Sequence, residues 1–412
     1  MWQYGKLPDS WAIEKIGEYA SVITDYVANG SFASLAENVN YKSEPDYAVL
    51  IRLTDYNNNF NGDFVYIDEH AYDFLSKSKL YGGEIIISNV GANVGTVFKC
   101  PKLQKKMSLA PNAIMLKTKG NDDFYYYWFT SRNGQHSLQS IVTGSAQPKF
   151  NKTNFKELLV PVPPIEVQEK IAEYLKNLDR KIELNQKINE NLLEQALAVY
   201  KAWFCEYALS GGIRPESWPN TTIEELSTLV TRGVAPKYDD NSDQIVLNQK
   251  CIRDHTIDLS LARRHLPKKI NEKWITKGDL LINSTGTGTL GRVAQVWFDA
   301  NNMTVDSHVT IVRPKNPILQ GYLGFWGLSH ESEIEAQHTG STGQTELPRD
   351  RVKSMELPQP DEDTLRKFNE LVIPLTGTIV SNQEENNRLS QIRDVLLPKL
   401  MSGEIDVSEL DL

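Results

Sequence analysis

Apolar residues recur at alternating steps of four and three in two stretches of the chain. The first runs from Ile171 through Leu175, Leu178 and Ile182, then resumes at Leu192, Ala196, Val199 and Trp203. The second runs through Phe368, Val372, Leu375 and Ile379 to Leu389. This 3.5-residue period predicts two long helices with coiled-coil seams. Polar residues interrupt both seams at matching places, Asn185 and Asn189 in the first, Asn382 and Asn386 in the second. A buried seam amide penalises wrong registers, because a misaligned partner leaves it unpaired; the alternative is that these asparagines face water. Pro374 and Gly377 fall inside the second pattern and predict a kink or a split there. Elsewhere, short β-branched and aromatic runs bounded by Gly, Asn, Asp and Pro read as strands and turns, with a short helix over residues 122–131.

The order of these elements repeats. Leu-Pro-Asp-Ser-Trp ending at Trp11 returns as Arg-Pro-Glu-Ser-Trp ending at Trp218. Gly83-Glu84-Ile85-Ile86-Ile87-Ser88 leads into a glycine-rich loop through Gly91 and Gly95, as Gly278-Asp279-Leu280-Leu281-Ile282-Asn283 does through Gly286, Gly288 and Gly291. Met107 and Met303 each open an apolar stretch. Thr143-Gly144-Ser145-Ala146-Gln147 is matched by Thr339-Gly340-Ser341-Thr342-Gly343-Gln344, and each is followed by a proline-rich exit, Pro161 to Pro164 or Pro358 to Pro360, and a helical pattern. The expected fold class is α+β: two tandem pseudo-symmetric globular domains, each followed by a long helix, the helices packing as an antiparallel coiled coil. A helix of about 35 residues reaches on the order of 50 Å and would hold the globular parts apart. Leu400-Met401-Ser402-Gly403 resembles Ala208-Leu209-Ser210-Gly211, so the last helix is expected to meet the start of the chain in a cyclic, two-fold arrangement that suits a pseudo-palindromic target.

A length of 412 residues accommodates two or three domains. No apolar run reaches the ~18 residues of a membrane span and no signal peptide is evident, which predicts a cytoplasmic protein. Three scattered cysteines, Cys100, Cys205 and Cys251, exclude a disulfide framework and a cysteine zinc knuckle. The net charge of −9 argues at first against nucleic acid. From Asp361 onward, however, eleven acidic residues face five basic ones, so most of the excess lies at one end. Basic clusters remain at Lys102, Lys105 and Lys106 and at Arg263, Arg264, Lys268 and Lys269, although such runs are commonly solvated faces.

Gly286-Thr287-Gly288-Thr289-Leu290-Gly291 spells the dinucleotide-binding GxGxxG, but that site requires a helix next. Residues 292–297 alternate and are β-branched, predicting a strand and excluding the nucleotide fold. There is no P-loop, HExxH or GxSxG. The seven histidines are scattered, and Asn316-Pro317-Ile318-Leu319 is not a methyltransferase tetrapeptide. The chain reads as a binder or scaffold with no catalytic residues and no metal.

Taken together, the tandem order and the junction Leu159-Val160-Pro161-Val162-Pro163-Pro164-Ile165-Glu166-Val167-Gln168-Glu169-Lys170-Ile171 resemble the specificity subunit of type I restriction-modification enzymes. The second junction, Leu357 to Asp361, departs from the family pattern. The resemblance implies target-recognition domains at 1–160 and 210–358, with a spacer helix at 161–209 and a second spacer helix and C-terminal tail at 359–412. It implies a non-catalytic subunit that reads a bipartite double-stranded DNA sequence, one half per domain, while the helices set the spacer. Two methyltransferase subunits would bring S-adenosylmethionine, and motor-nuclease subunits would bring ATP and magnesium. Partners sharing the DNA clamp would explain the negative charge. A coiled-coil scaffold without DNA contact and a fused methyltransferase or nuclease are the rival classes.

Base reading requires paired donors and acceptors. On that chemistry the candidates are Asn89 and Asn93 in the first glycine-rich loop, and Ser284, Thr285, Thr287 and Thr289 in the second. Ser145, Gln147 and Lys149, then Ser341 and Gln344, are candidates in the Thr-Gly-Ser loops. The alternative for all of them is that the loops only turn the chain. Lys102, Lys105, Lys106, Arg263, Arg264 and Lys268 are candidate phosphate contacts, and Asn185, Asn189, Asn382 and Asn386 the candidate register residues.

Overall fold

The computed structural model describes residues 4–266, 268–340 and 345–407. The chain divides into two compact units, one of residues 1–182 with 387–412, the other of residues 183–386.

In unit 1 an antiparallel sheet has the spatial order Ala20–Asp25, Ala113–Thr118, Ile85–Ser88, Val97–Lys99. A second sheet orders Val65–Ile67, Ala48–Ile51, Lys106–Leu109 and Lys79–Leu80, its two middle strands parallel. Ala12–Lys15 pairs with Leu159–Val162, so the entry strand lies beside the proline-rich exit. The run Ile85-Ile86-Ile87 does not alternate with polar residues because both of its faces are covered. Ile85 and Ile87 pack with Phe124 and Trp128, while Ile86 packs with Phe98 and Met115.

Unit 2 repeats this order, except that among the described residues its second sheet has no counterpart of Lys79–Leu80. Ser227–Arg232, Val309–Pro314, Leu280–Asn283 and Val293–Gln295 form the antiparallel sheet. Arg263–Arg264, Ile245–Leu247 and Met303–Val305 form the second, again with a parallel pair. Asn220–Thr222 pairs with Glu356–Pro358. Even the irregularity in the first sheet strand recurs, between Ala20 and Val22 and between Ser227 and Leu229. The GxGxxG segment joins two antiparallel strands, as its flanking pattern predicts.

The long helices are Ile165–Tyr200 and Glu362–Met401. Contrary to the break expected at Pro374 and Gly377, the second helix runs through both positions. Pro374 and Gly377 lie on the exposed face, whereas Val372, Thr376 and Ile379 around them are buried. Packing of that buried face outweighs the loss of one backbone hydrogen bond. Within unit 1, Asp179 on the first helix accepts from Tyr127 Oη at 2.6 Å and from Arg393 on the second at 2.9 Å. Burial, followed by the charge of Asp179, holds the Tyr127 phenol well above its ordinary pKa. Leu400, Met401 and Val407 enter the core of this unit together with Ile16, Phe124 and Tyr125, with Trp11 packed against them. Within unit 2, Tyr200 and Phe204 at the end of the first helix fill the corresponding place beside Trp218, Tyr322 and Phe368.

The proline-rich exits are fastened differently. Gln168 is buried; its amide donates to the Pro163 carbonyl at 2.8 Å, and its oxygen accepts the Asn121 N–H at 3.0 Å. Immediately after Pro360, the second junction uses Asp361 instead, which accepts from the Trp218 indole at 3.0 Å and caps Thr364 at 2.9 Å.

Within unit 2 the seam asparagines meet across the two helices. Asn185 Nδ2 donates to Asn386 Oδ1 at 2.9 Å and to Glu385 at 2.7 Å, and Asn382 Nδ2 donates to Asn189 Oδ1 at 2.8 Å. Asn185 is 1% exposed. Replacing Asn185 removes two hydrogen bonds from a buried seam position, which costs about 1–3 kcal/mol. Asn185→Leu should therefore lower stability in urea titration by that amount, whereas the pair Asn185→Leu with Asn386→Leu should recover most of it.

Candidate nucleic-acid interface

In each unit three loops converge on the end of the buried central strand. In unit 1, residues 89–95 follow Ile85–Ser88. The Gly91 N–H donates to the Pro148 carbonyl at 2.9 Å, and the Phe150 N–H to Asn89 at 3.0 Å, joining the glycine-rich loop to the Thr-Gly-Ser loop. The Asn89 N–H donates to the Asn112 carbonyl at 3.0 Å, bringing in the turn that precedes Ala113–Thr118. Unit 2 is joined in the same way: Leu347 N–H to Ser284 at 2.9 Å, and Ser284 N–H to His308 at 2.8 Å. Sequence repetition identified two of these loops; the third, 110–112 or 306–308, carries no glycine signature and is visible only through strand register.

Each junction is braced by ions. Lys152 meets Asp25 at 2.7 Å in unit 1. In unit 2 the corresponding strand end carries Arg232, which meets Glu346 at 2.6 Å and donates to the Leu347 carbonyl at 2.9 Å. The tether is kept with its charges reversed. At the other end of the central strand, Glu84 accepts the N–H groups of Tyr81 and Gly82 at 3.0 and 2.8 Å and meets Lys117 at 3.2 Å. Asp279 similarly accepts the Thr276 N–H at 2.9 Å and meets Arg313 at 2.7 Å. Burial opposes the charge of Glu84, but backbone donors and Lys117 outweigh it, and its carboxyl is held below its ordinary pKa of 4.5.

The candidate readers divide by exposure. Asn93, Ser145, Gln147, Lys149 and Thr287 are exposed on the loops. Asn89 and Ser284 face inward: the Asn89 amide donates to Phe150 at 3.0 Å, and the fully buried Ser284 hydroxyl lies 2.6 Å from that of Thr310. Both residues immediately follow a buried strand and retain its packing. Thr289, half-buried, reaches only to the Thr285 carbonyl at 3.4 Å, and Thr285 Oγ1 lies 2.7 Å from His308 Nδ1. Ser341 and Gln344 lie outside the described residues.

Lys102 is exposed. Lys105 donates to the Asp46 carbonyl at 2.8 Å and lies over Tyr66, while Lys106 bonds Tyr47 Oη and lies over its ring. In unit 2, Arg263 stacks 3.5 Å from the centre of Tyr238, Arg264 donates to Ser242 at 2.6 Å, and Lys268 donates to Ala235. These cations stand on aromatic or backbone supports near the second sheet of each unit, away from the three-loop junction in the hydrogen-bond pattern. Among the described residues, no cluster of His, Cys, Asp and Glu could hold a metal and no helix is long and apolar enough to cross a membrane.

Residues 8–194 match the family model described as "Type I restriction modification DNA specificity domain". With that match and the likenesses that accompany it, the chain is similar to the type I restriction-modification specificity subunits. It is 25% identical over 438 residues to the type I restriction enzyme MjaIX specificity subunit of Methanocaldococcus jannaschii, covering 98% of this chain and 96% of that protein. It is 22% identical to the HindI specificity subunit of Haemophilus influenzae, covering 63% of this chain and 71% of the relative. The crystal structure of the type I S subunit from M. genitalium matches with a TM-score of 0.58 and 16% identity, covering 97% of this chain and 99% of that one. That likeness establishes the shared fold.

Two outcomes are expected from the bracing. Glu84 stabilises the folded state fully above its ordinary pKa of 4.5, and the contribution is lost as pH falls through the lower folded value. Urea titrations at pH 7 should find Glu84→Gln less stable by about 1–3 kcal/mol, with the gap closing below about pH 4. Gly291 has φ +83°, and a Cβ there would stand 2.5 Å from Glu335 Cβ and 2.8 Å from its Cα. Gly291→Ala should cost about 2 kcal/mol or more from strain and overlap, read as a lowered melting temperature.

Proposed function

We propose that this chain is the sequence-specific DNA-binding subunit of a type I restriction-modification complex, each unit reading one half of a bipartite site. The observation that carries this reading is the repetition of one exposed three-loop junction, built by the same strand order in both units. Exposed amides and hydroxyls at the loops, Asn93, Ser145, Gln147 and Thr287, supply groups suited to base edges, and Lys149 is a cation beside them.

The long helices act as the spacer. The asparagine partners run in opposite senses along them, Asn185 with Asn386 and Asn189 with Asn382, which supports an antiparallel pair in fixed register. Apolar side chains left exposed on the helices, Leu184, Ile188, Leu371 and Ile373, support docking of methyltransferase subunits there. The chain itself is non-catalytic. S-adenosylmethionine is bound by the methyltransferase partner, and ATP with magnesium by the motor-nuclease partner.

Methylated adenines should be mapped across the genome in cells expressing this chain with its methyltransferase and in cells lacking only this chain. A split motif of fixed spacing that disappears on deletion is the expected result. An unchanged pattern would reject the specificity role and favour a protein-only scaffold; turnover with S-adenosylmethionine by the purified chain alone would reject the non-catalytic one.

A further inference from the structure

The third loop of each junction presents a side chain that the repeat does not preserve. Ser88 pairs with Ala113 and Asn283 with Val309, so Asn112 and His308 occupy equivalent places immediately before the paired residues. The backbone bonds agree: the next N–H after each central strand, Asn89 or Ser284, donates to the carbonyl of Asn112 or His308. Both residues are exposed. Their backbones are nevertheless fixed, because each carbonyl is tied to the end of a fully buried strand.

The two side chains are poised for contact in different ways. Asn112 has φ +69°, a left-handed conformation that asparagine tolerates, and its amide makes no bond among the described residues. An amide presents one donor and one acceptor side by side, which matches the N6 and N7 edge of adenine. His308 is held from two sides. Its backbone N–H donates to the buried Asp306 at 2.8 Å, and its Nδ1 lies 2.7 Å from Thr285 Oγ1. Nε2 makes no bond among the described residues, so one ring nitrogen is used for orientation and the other is left for a ligand. Gln249 extends the same cluster, its Oε1 lying 3.5 Å from Thr285 Oγ1.

We propose that Asn112 and His308 are specificity-determining residues, each contacting a base in its own half-site, and that Thr285 is a positioning residue for His308. The proposal rests on the DNA-reading function above and adds which side chains make the half-sites differ. Both units share the loop scaffold, but at this equivalent place one offers an amide and the other an imidazole. A phosphate contact would be equally available to either sequence and would weaken all sites alike rather than relax one position.

The test uses the full chain assembled with its methyltransferase subunits, with the methylated motif read by sequencing. Asn112→Gly preserves the left-handed backbone and removes the amide; it should make one position of one half-site degenerate, with discrimination falling roughly five- to hundredfold. His308→Ala should do the same at one position of the other half-site, and Thr285→Val should relax that same position to a smaller extent. His308→Asn should shift the base preferred there rather than abolish methylation. Each variant should leave the opposite half-site and the melting temperature unchanged. An unaltered motif in these variants would overturn the proposal, as would a uniform loss of methylation at all sites with lowered stability. If the parental complex methylates no split motif that depends on this chain, the DNA-reading function itself fails and this proposal falls with it.

Discussion

Burial of the central strands, Ile85–Ser88 and Leu280–Asn283, on both faces is the constraint from which the loop positions follow. Ile85 and Ile87 point into one apolar cluster and Ile86 into another, so a slip of one residue would exchange the two faces and carry every attached loop with it. Full burial of each such side chain is worth about 1.5–3 kcal/mol. A buried carboxylate fixes the strand at its start, and the loop junction begins where it ends. The junction can therefore remain exposed and polar without becoming loose.

The two units keep this geometry by different chemical means. Asp25 with Lys152 and Arg232 with Glu346 brace equivalent places with opposite polarity. Gln168 ties the first exit through a buried amide, whereas the second relies on Asp361 and the Trp218 indole. A bond that fastens two backbone segments does not require a particular sign of charge or donor type, only a matched pair. What must be preserved is the hydrogen-bonded frame, and the surfaces it carries are free to diverge.

This also accounts for what the sequence reveals. Helices, the repeated order of segments and the strand that follows GxGxxG are legible because hydrophobic period is a local property and the repeat states it twice. The unbroken helix through Pro374 is not legible, because the packing that sustains it comes from residues outside the local pattern. The inward placement of Asn89 and Ser284 depends on partners at Phe150 and Thr310, well separated along the chain. Asn112 and His308 lack any local signature; strand register alone brings them to the junction. Loop exposure is a tertiary property, which makes polar composition a poor guide to it.

The discontinuity of unit 1 imposes an order on synthesis. Unit 2 is drawn from one uninterrupted stretch, residues 183–386, whereas unit 1 needs residues 387–412 in addition to 1–182. Leu400, Met401 and Val407 belong to the core of unit 1, so a nascent chain that has already emitted the whole first globular segment still exposes the apolar surface they cover. At roughly 5–20 residues per second, translating the intervening stretch takes on the order of 10–50 s. The first globular segment to be made is therefore closed only once residues 400–407 have been made.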